Sequence, residues 1–288
     1  MLANSATLRH DHYRQLKSKL MVGLTIGATV LALIPLFLVL GYLLSKGFTS
    51  LNWNFFTKMP APVGQAGGGM ANAIVGTLWL VGIASMIGVP IGVASGIYMA
   101  GNQGGYIATT VRFAADVMMG IPTIVVGIFV YEIVVRPFGG FSTLAGSIAL
   151  AIIMVPLVAR TSEEMILLVP NELREAALAL GVPHWRTNLL VVTRTAMSGI
   201  ATGVILAVAR VAGETAPLLF TAFGNRFWST SLFRPISSLT VQVYTYAISP
   251  FADWQRQAWA GALVLTAIVL ALELGVRSFT RGNARVAK

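Results

Sequence analysis

Six long apolar runs divide this chain, at about 20–45, 70–100, 113–135, 144–168, 195–222 and 258–279. A helix needs roughly 20 apolar residues to cross a hydrocarbon core about 30 Å thick. Within that core only helices and closed barrels satisfy their own backbone polar groups. The runs therefore predict an all-α integral membrane protein with six transmembrane helices. Composition agrees, with 56% hydrophobic and only 10% charged residues, against about 25% charged in soluble domains.

The expected organisation is a polar N-terminal segment, 1–19, a transmembrane domain, 20–279, and a short tail, 280–288. The first run follows about twenty polar residues and has no small-residue cleavage site behind it, so it is expected to be a retained anchor. Cytoplasmic flanks are enriched in Lys and Arg. With the N-terminus inside, the inner segments carry Arg9, Arg14, Lys17, Lys19, Arg112, Arg174, Arg186, Arg194, Arg277, Arg281, Arg285 and Lys288. The outer ones carry Lys46, Lys58, Arg136, Arg226, Arg234 and Arg256, while Arg160 and Arg210 fall within apolar runs. Both termini are thus expected in the cytoplasm. Trp53, Phe55 and Phe56, with Phe227, Trp228, Trp254 and Trp259, are expected as aromatic rings at headgroup depth.

Much is excluded. The net charge of +10 lies between apolar runs rather than along an aromatic-interleaved stripe, which argues against nucleic acid. There is no cysteine, hence no disulfide and no thiolate metal site. His10, His12 and His184 are too scattered to hold a metal. No phosphate-binding Gly-rich loop ending in Gly-Lys-Ser/Thr occurs, and no nucleophile and base are paired. No catalytic residue and no cofactor are expected in this chain.

The most informative polar segment is 171–194, between the fourth and fifth runs. Residues 172–180 are strong helix formers with Glu172 and Glu175 early, where the helix dipole favours acids. Gly181 is expected to end that helix and Pro183 to open another, whose Trp185, Leu189 and Val192 give it an apolar face. The reading is a helix, a turn and a second helix lying on the membrane. Pattern alone leaves open whether the pair is a passive interfacial element or a docking element.

Arg210 and Glu214 are four residues apart and are expected to share one helix face, about 16 and 20 residues beyond Arg194 and so deep in the bilayer. Buried arginine is costly there and usually faces a bundle interior or a watery cavity. Its planar fork matches paired oxyanion oxygens. Two readings stand: an anion pathway in which Glu214 partly neutralises Arg210 so that the anion is not trapped, or a structural ion pair that fixes helix packing. Pro217 deprives the Gly213 carbonyl of its donor, predicting an irregular turn at that depth. Arg160 is a second pathway candidate, or it snorkels to the inner surface. Arg112 with Asp116, and Glu273 with Arg277, are expected as interfacial pairs, and Glu132 as a headgroup-level carboxylate.

Glu175-Ala176-Ala177 followed by Gly181, in an inner loop before the penultimate run, resembles the loop that seats on the ATPase in ATP-binding-cassette importer permeases. That family's loop often continues through a Leu-Pro pair, where this chain has Thr193-Arg194. Arg210-Val211-Ala212-Gly213-Glu214-Thr215-Ala216-Pro217-Leu218-Leu219-Phe220-Thr221-Ala222, then Phe227-Trp228, is similar to the PstA-type permeases of phosphate importers. So are Gly67-Gly68-Gly69, Gly96-Ile97-Tyr98, Val125 to Tyr131, Val155-Pro156 with Arg160-Thr161, and Ser249-Pro250-Phe251-Ala252 with Trp254-Gln255, together covering 65–262.

The resemblance implies a six-helix type I importer permease in the bacterial inner membrane, moving inorganic phosphate inward by alternating access. Glu175, Ala176, Ala177 and Gly181 would couple it to a homodimeric ATPase that binds ATP and Mg. A PstC-like second permease and an extracytoplasmic phosphate-binding protein would be the other partners. Permeation of sulfate or molybdate, or a phosphate-sensing signalling role, is the alternative. A self-sufficient ion-driven carrier is disfavoured because no paired repeats are detectable.

Overall fold

The computed structural model describes residues 4–286 apart from Gly64 and Ala66, and the side chains of 14–275 apart from those two. Arg9, His10, His12, Arg281, Arg285, Lys288 and the Arg277 half of the expected Glu273 pair lie outside the described side chains.

In order, the helices are α1 (Asn4–Phe48), α2 (Trp53–Thr57), α3 (Ala71–Gly101), α4 (Tyr106–Gly120), α5 (Thr123–Val130), α6 (Thr143–Leu167), α7 (Asn171–Ala179), α8 (His184–Arg186), α9 (Thr193–Ala212), α10 (Ala216–Thr221), α11 (Leu239–Ala247) and α12 (Ala252–Val286). A π-helical turn, Tyr131–Val135, extends α5, and another, Thr187–Val192, joins α8 to α9. Among the described residues, five uninterrupted segments are long and apolar enough to cross a membrane: Arg14–Phe48, Ala71–Gly101, Thr143–Leu167, His184–Ala212 and Ala252–Gly275. The sixth is a bent pair, Tyr106–Gly120 with Thr123–Val135.

Helices α3 and α6 run in the same direction and share the most extensive interface. They lie close because α3 presents Gly88, Gly92 and Gly96 at intervals of four, against Met154, Val158 and Ser162 in turn. A Cβ on Gly92 would stand 2.7 Å from the Val158 Cβ, and one on Gly96 would stand 2.6 Å from the Ala159 carbonyl oxygen. Lipid tails are as apolar as leucine, so membrane helices associate through such close backbone packing rather than by hydrophobic exclusion. Leu80, Ala84, Leu150, Met154, Val158, Ala207 and Val211 complete the core where α9 joins.

Three expectations change. The third run is not one rod: α4 and α5 meet at 102°. Pro122 has no N–H to continue the helix, and the residue before a proline is pushed from helical to extended backbone; Ile121 sits at φ −73°, ψ 130°. The fifth span starts at His184 and ends at Ala212, not 195–222, so the expected second surface helix of the loop is the base of that span. Finally, Phe55 and Trp254 are buried, at 1% and 6% exposure, rather than lying at headgroup depth. Trp254 stacks on Tyr246 and meets the edge of Phe251, with the Arg226 guanidinium 5.3 Å from its ring centre. Burial in this cluster pushes the Tyr246 phenol above its ordinary pKa.

Candidate functional site: a charged chain beneath the bent span

Four ionisable side chains gather between α4 and α6. Glu163 lies about one turn from the end of α6 and is 1% exposed. Its Oε1 accepts from Arg112 Nε at 2.9 Å and Nη2 at 2.5 Å, and its Oε2 accepts from Arg160 Nη1 at 2.7 Å. Arg160 Nε pairs in turn with Asp116 Oδ1 at 3.0 Å. Arg112 and Arg160 are each 25% exposed and Asp116 is 48% exposed. A lone buried carboxylate is costly; the two guanidinium partners satisfy both oxygens of this one and fix it in place.

The expected pairing of Arg112 with Asp116 along one helix is thus replaced by pairing across helices. Arg112 lies between Ala108 and Ala115 on the face that α4 turns inward, and those two alanines are the only buried residues of α4. From that face the guanidinium reaches α6 more readily than it folds back along its own helix. Glu163 is the residue that sequence reasoning missed. Its signal was present: an acid three residues after Arg160, inside an apolar run, is itself an intramembrane charge in need of a partner.

Arg210 is exposed and forms no ion pair among the described residues. It lines a cavity of about 40 Å³ with Met118, Met119, Thr123, Ile153 and Leu157, at the elbow between α4 and α5. Met119 and Leu157 stand three residues from Asp116 and Arg160, so the cavity lies one helical turn from the charged chain. Arg210 and Glu214 do not share a helix face. α9 ends at Ala212, where Gly213 N–H bonds back to the Arg210 carbonyl, and Glu214 sits half-buried in the break before α10. Pro217, in the first turn of α10, cannot supply the donor that would carry α9 through 213. Thr240 Oγ1 donates to the Glu214 carbonyl at 3.0 Å, tying this break to α11.

At the end of the bundle where α6 finishes, α7 closes on a left-handed residue, Gly181, at φ +78°. The Val182 N–H bonds to the Ala177 carbonyl and the Gly181 N–H to the Leu178 carbonyl, the double closure that glycine at this position permits. Glu175 and Ala176 are exposed and Ala177 is buried. Leu180 (85% exposed), Trp185 (62%) and Leu190 (56%) leave an apolar surface on this loop. Arg186 lies over the Trp185 ring at 5.0 Å. Glu132, expected at headgroup level, is exposed and pairs with Arg136 at 2.8 Å.

A bundle of crossing helices closed around a glycine seam, with one broken span, paired charges within it and a short helix held outside, is the build of a transporter's membrane subunit. The family model described as "Binding-protein-dependent transport system inner membrane component" matches residues 92–284. Among curated proteins the chain is 45% identical to the phosphate transport system permease protein PstA of Yersinia pestis, over 96% of each chain. It is 45% identical to that of Haemophilus influenzae, over 93% of this chain and 95% of the relative. A probable archaeal counterpart from Methanocaldococcus jannaschii is 35% identical over 94% of this chain and 96% of the relative. Among solved structures, an inward-facing conformation of the MetNI methionine ABC transporter superposes with a TM-score of 0.63 at 19% identity. That match covers 74% of this chain and 95% of the other, and shows the shared fold. The chain belongs to the binding-protein-dependent transport inner-membrane component family, and within it to the PstA-type permeases.

Proposed function

We propose that this chain is the membrane-spanning permease subunit of an ATP-driven importer of inorganic phosphate. The observation that carries the reading is full-length similarity, at 45% identity, to phosphate transport permeases. In this reading ATP and Mg are bound by a separate homodimeric ATPase seated against α7, with Glu175, Ala176 and Gly181 at the contact and the buried Ala177 holding α7 against this chain. The apolar surface of Leu180, Trp185 and Leu190 suits such a seat. A PstC-like second permease completes the pathway, and an extracytoplasmic phosphate-binding protein delivers the substrate. The excess of Lys and Arg in the inner segments supports placing both termini in the cytoplasm of a bacterial cell.

Within the pathway, Arg210 is the anion contact. An unpaired guanidinium attracts an oxyanion, and a charge that never titrates near neutral pH holds for every protonation state of phosphate. Glu214, in the helix break that follows α9, accepts a hydrogen bond from a protonated phosphate oxygen, which sulfate has no proton to donate. Arg160 is the second contact toward the inner end. Binding at each must stay weak enough for release.

The test is phosphate uptake by vesicles carrying the assembled complex, with and without ATP on the cytoplasmic side, for the native chain and for Arg210→Gln. The reading expects ATP-dependent uptake, insensitive to excess sulfate or molybdate, that is lost in Arg210→Gln while the ATPase stays bound. Uptake that sulfate or molybdate competes away would reassign the substrate. Uptake undiminished in the variant would remove Arg210 from the pathway.

A further inference from the structure

α4 packs on the rest of the chain along one narrow face. Only Ala108 and Ala115 of its fifteen residues are buried. At one end it joins α3 through the turn 102–105, which contains Gly104 and Gly105; at the other it breaks at Ile121-Pro122. Beside these small buried contacts, the ionic contacts to α6 are the polar part of its attachment.

Those ionic contacts are not equivalent. Glu163 is 1% exposed and bonded by two arginines, so it cannot leave without stranding a buried charge. Asp116 is 48% exposed and touches Arg160 through a single 3.0 Å pair, so it can turn to water at little cost. What Asp116 presents to Arg160 is a monoanionic, planar pair of oxygens, the chemistry of an oxyanion edge. The only other acid in contact with Arg160 among the described residues is Glu163, and the arginine on the neighbouring cavity, one turn away, is Arg210.

We propose that Asp116 is a built-in stand-in for the transported oxyanion: its carboxylate holds Arg160, and through it the Ile121 end of α4, while the pathway is empty, and an arriving oxyanion displaces it and frees that end of α4 to swing. The Arg112–Glu163 pair stays closed and acts as the pivot. This rests on the reading of the chain as an oxyanion permease, and it adds a release signal: occupancy of Arg160 is converted into loss of one α4 attachment. It also accounts for an arginine that attracts an anion without trapping it, because the displaced Asp116 competes for the same seat and drives the anion onward.

Because this chain has no cysteine, one introduced thiol is its only maleimide target, and labelling is read on this chain's own band after denaturing electrophoresis. Ala115→Cys puts the thiol on the buried face beside Asp116, where the native alanine is 6% exposed. In inside-out vesicles bearing the assembled transporter, maleimide labelling of that thiol is measured with and without inorganic phosphate, then with sulfate. The proposal expects slow labelling when empty and several-fold faster labelling with phosphate. With Asp116→Asn it expects fast labelling without any anion and no further response, and with Asp116→Glu it expects the anion response restored. Labelling of Asp116→Asn as slow as the native pairing, with the complex still assembled, would overturn the proposal even if phosphate uptake were intact. A native chain that responds to sulfate and not to phosphate would leave Asp116 in this role and overturn the substrate reading instead.

Discussion

Glu163 and Arg112, 51 residues apart in sequence, are joined by two hydrogen bonds onto one carboxylate oxygen. The pair fastens α4 to α6 where the alanine contacts of α4 are slight. Its energetics are asymmetric, because Glu163 is almost fully buried and Arg112 is not.

Removing the arginine is therefore expected to cost more than removing both partners. Arg112→Met leaves a buried carboxylate short of one partner and should lower stability by about 3 kcal/mol, the scale for breaking a buried pair from one side. Arg112→Met with Glu163→Gln should recover part of that loss, since no stranded charge remains. Thermal unfolding of the detergent-solubilised chain ranks the two; a double variant less stable than the single would refute the asymmetry.

The glycine seam gives a second expectation. Gly92→Leu drives a side chain into Val158, and over-packing of this kind costs about 1–3 kcal/mol or more. Gly82, on the same helix, has open space to 4 Å around the point where a Cβ would stand, so Gly82→Leu should be neutral. The yield of folded, monodisperse protein distinguishes the two, and equal losses would mean that α3 and α6 do not approach as closely as described.

At Gly181 the expected penalty is in the backbone alone. No atom stands within 4 Å of its missing Cβ, but its φ of +78° is one that L-residues resist. Gly181→Ala should cost about 1 kcal/mol and loosen the end of α7. If α7 seats on an ATPase, uptake should fall several-fold with little change in the amount of assembled complex; unchanged uptake would detach Gly181 from coupling.

For Arg210 the substitution series is informative. Arg210→Lys keeps a charge but loses the flat fork, so it should retain some phosphate uptake, while Arg210→Gln should retain none. Parallel loss of both variants from the membrane, measured by immunoblot, would instead assign Arg210 to packing.

The helical class, the approximate places of the six crossings and the glycine that ends α7 were legible from the pattern of apolar runs and from turn chemistry. Pro217 was legible as a disturbance, but not its scale, since whether a proline kinks a helix or breaks it depends on what the neighbours offer. Pro35, Pro90 and Pro156 lie inside continuous helices, whereas Pro122 marks a 102° turn. Pairings were least legible. Spacing along one helix joined Arg112 to Asp116 and Arg210 to Glu214, and the fold undid both, once because a better partner stood across the α4–α6 interface and once because α9 stopped at Gly213. Phe55 and Trp254 were misplaced for a related reason: aromatic side chains near span ends suit the headgroup region and the bundle interior equally well until the packing is known.

From His184 to Ala212 the chain is one 29-residue helical segment, about 43 Å long at 1.5 Å per residue, with Trp185 near one end and Arg210 near the other. A stiff strut delivers an axial push undiminished, so a slide of one residue's rise at Trp185 arrives as about 1.5 Å at Arg210, enough to make or break a hydrogen bond there. The wider π-helical turn at Thr187–Val192, where Thr193 Oγ1 bonds the Asn188 carbonyl, is the one interruption of the α-helical ladder along that length, and it lies near the Trp185 end.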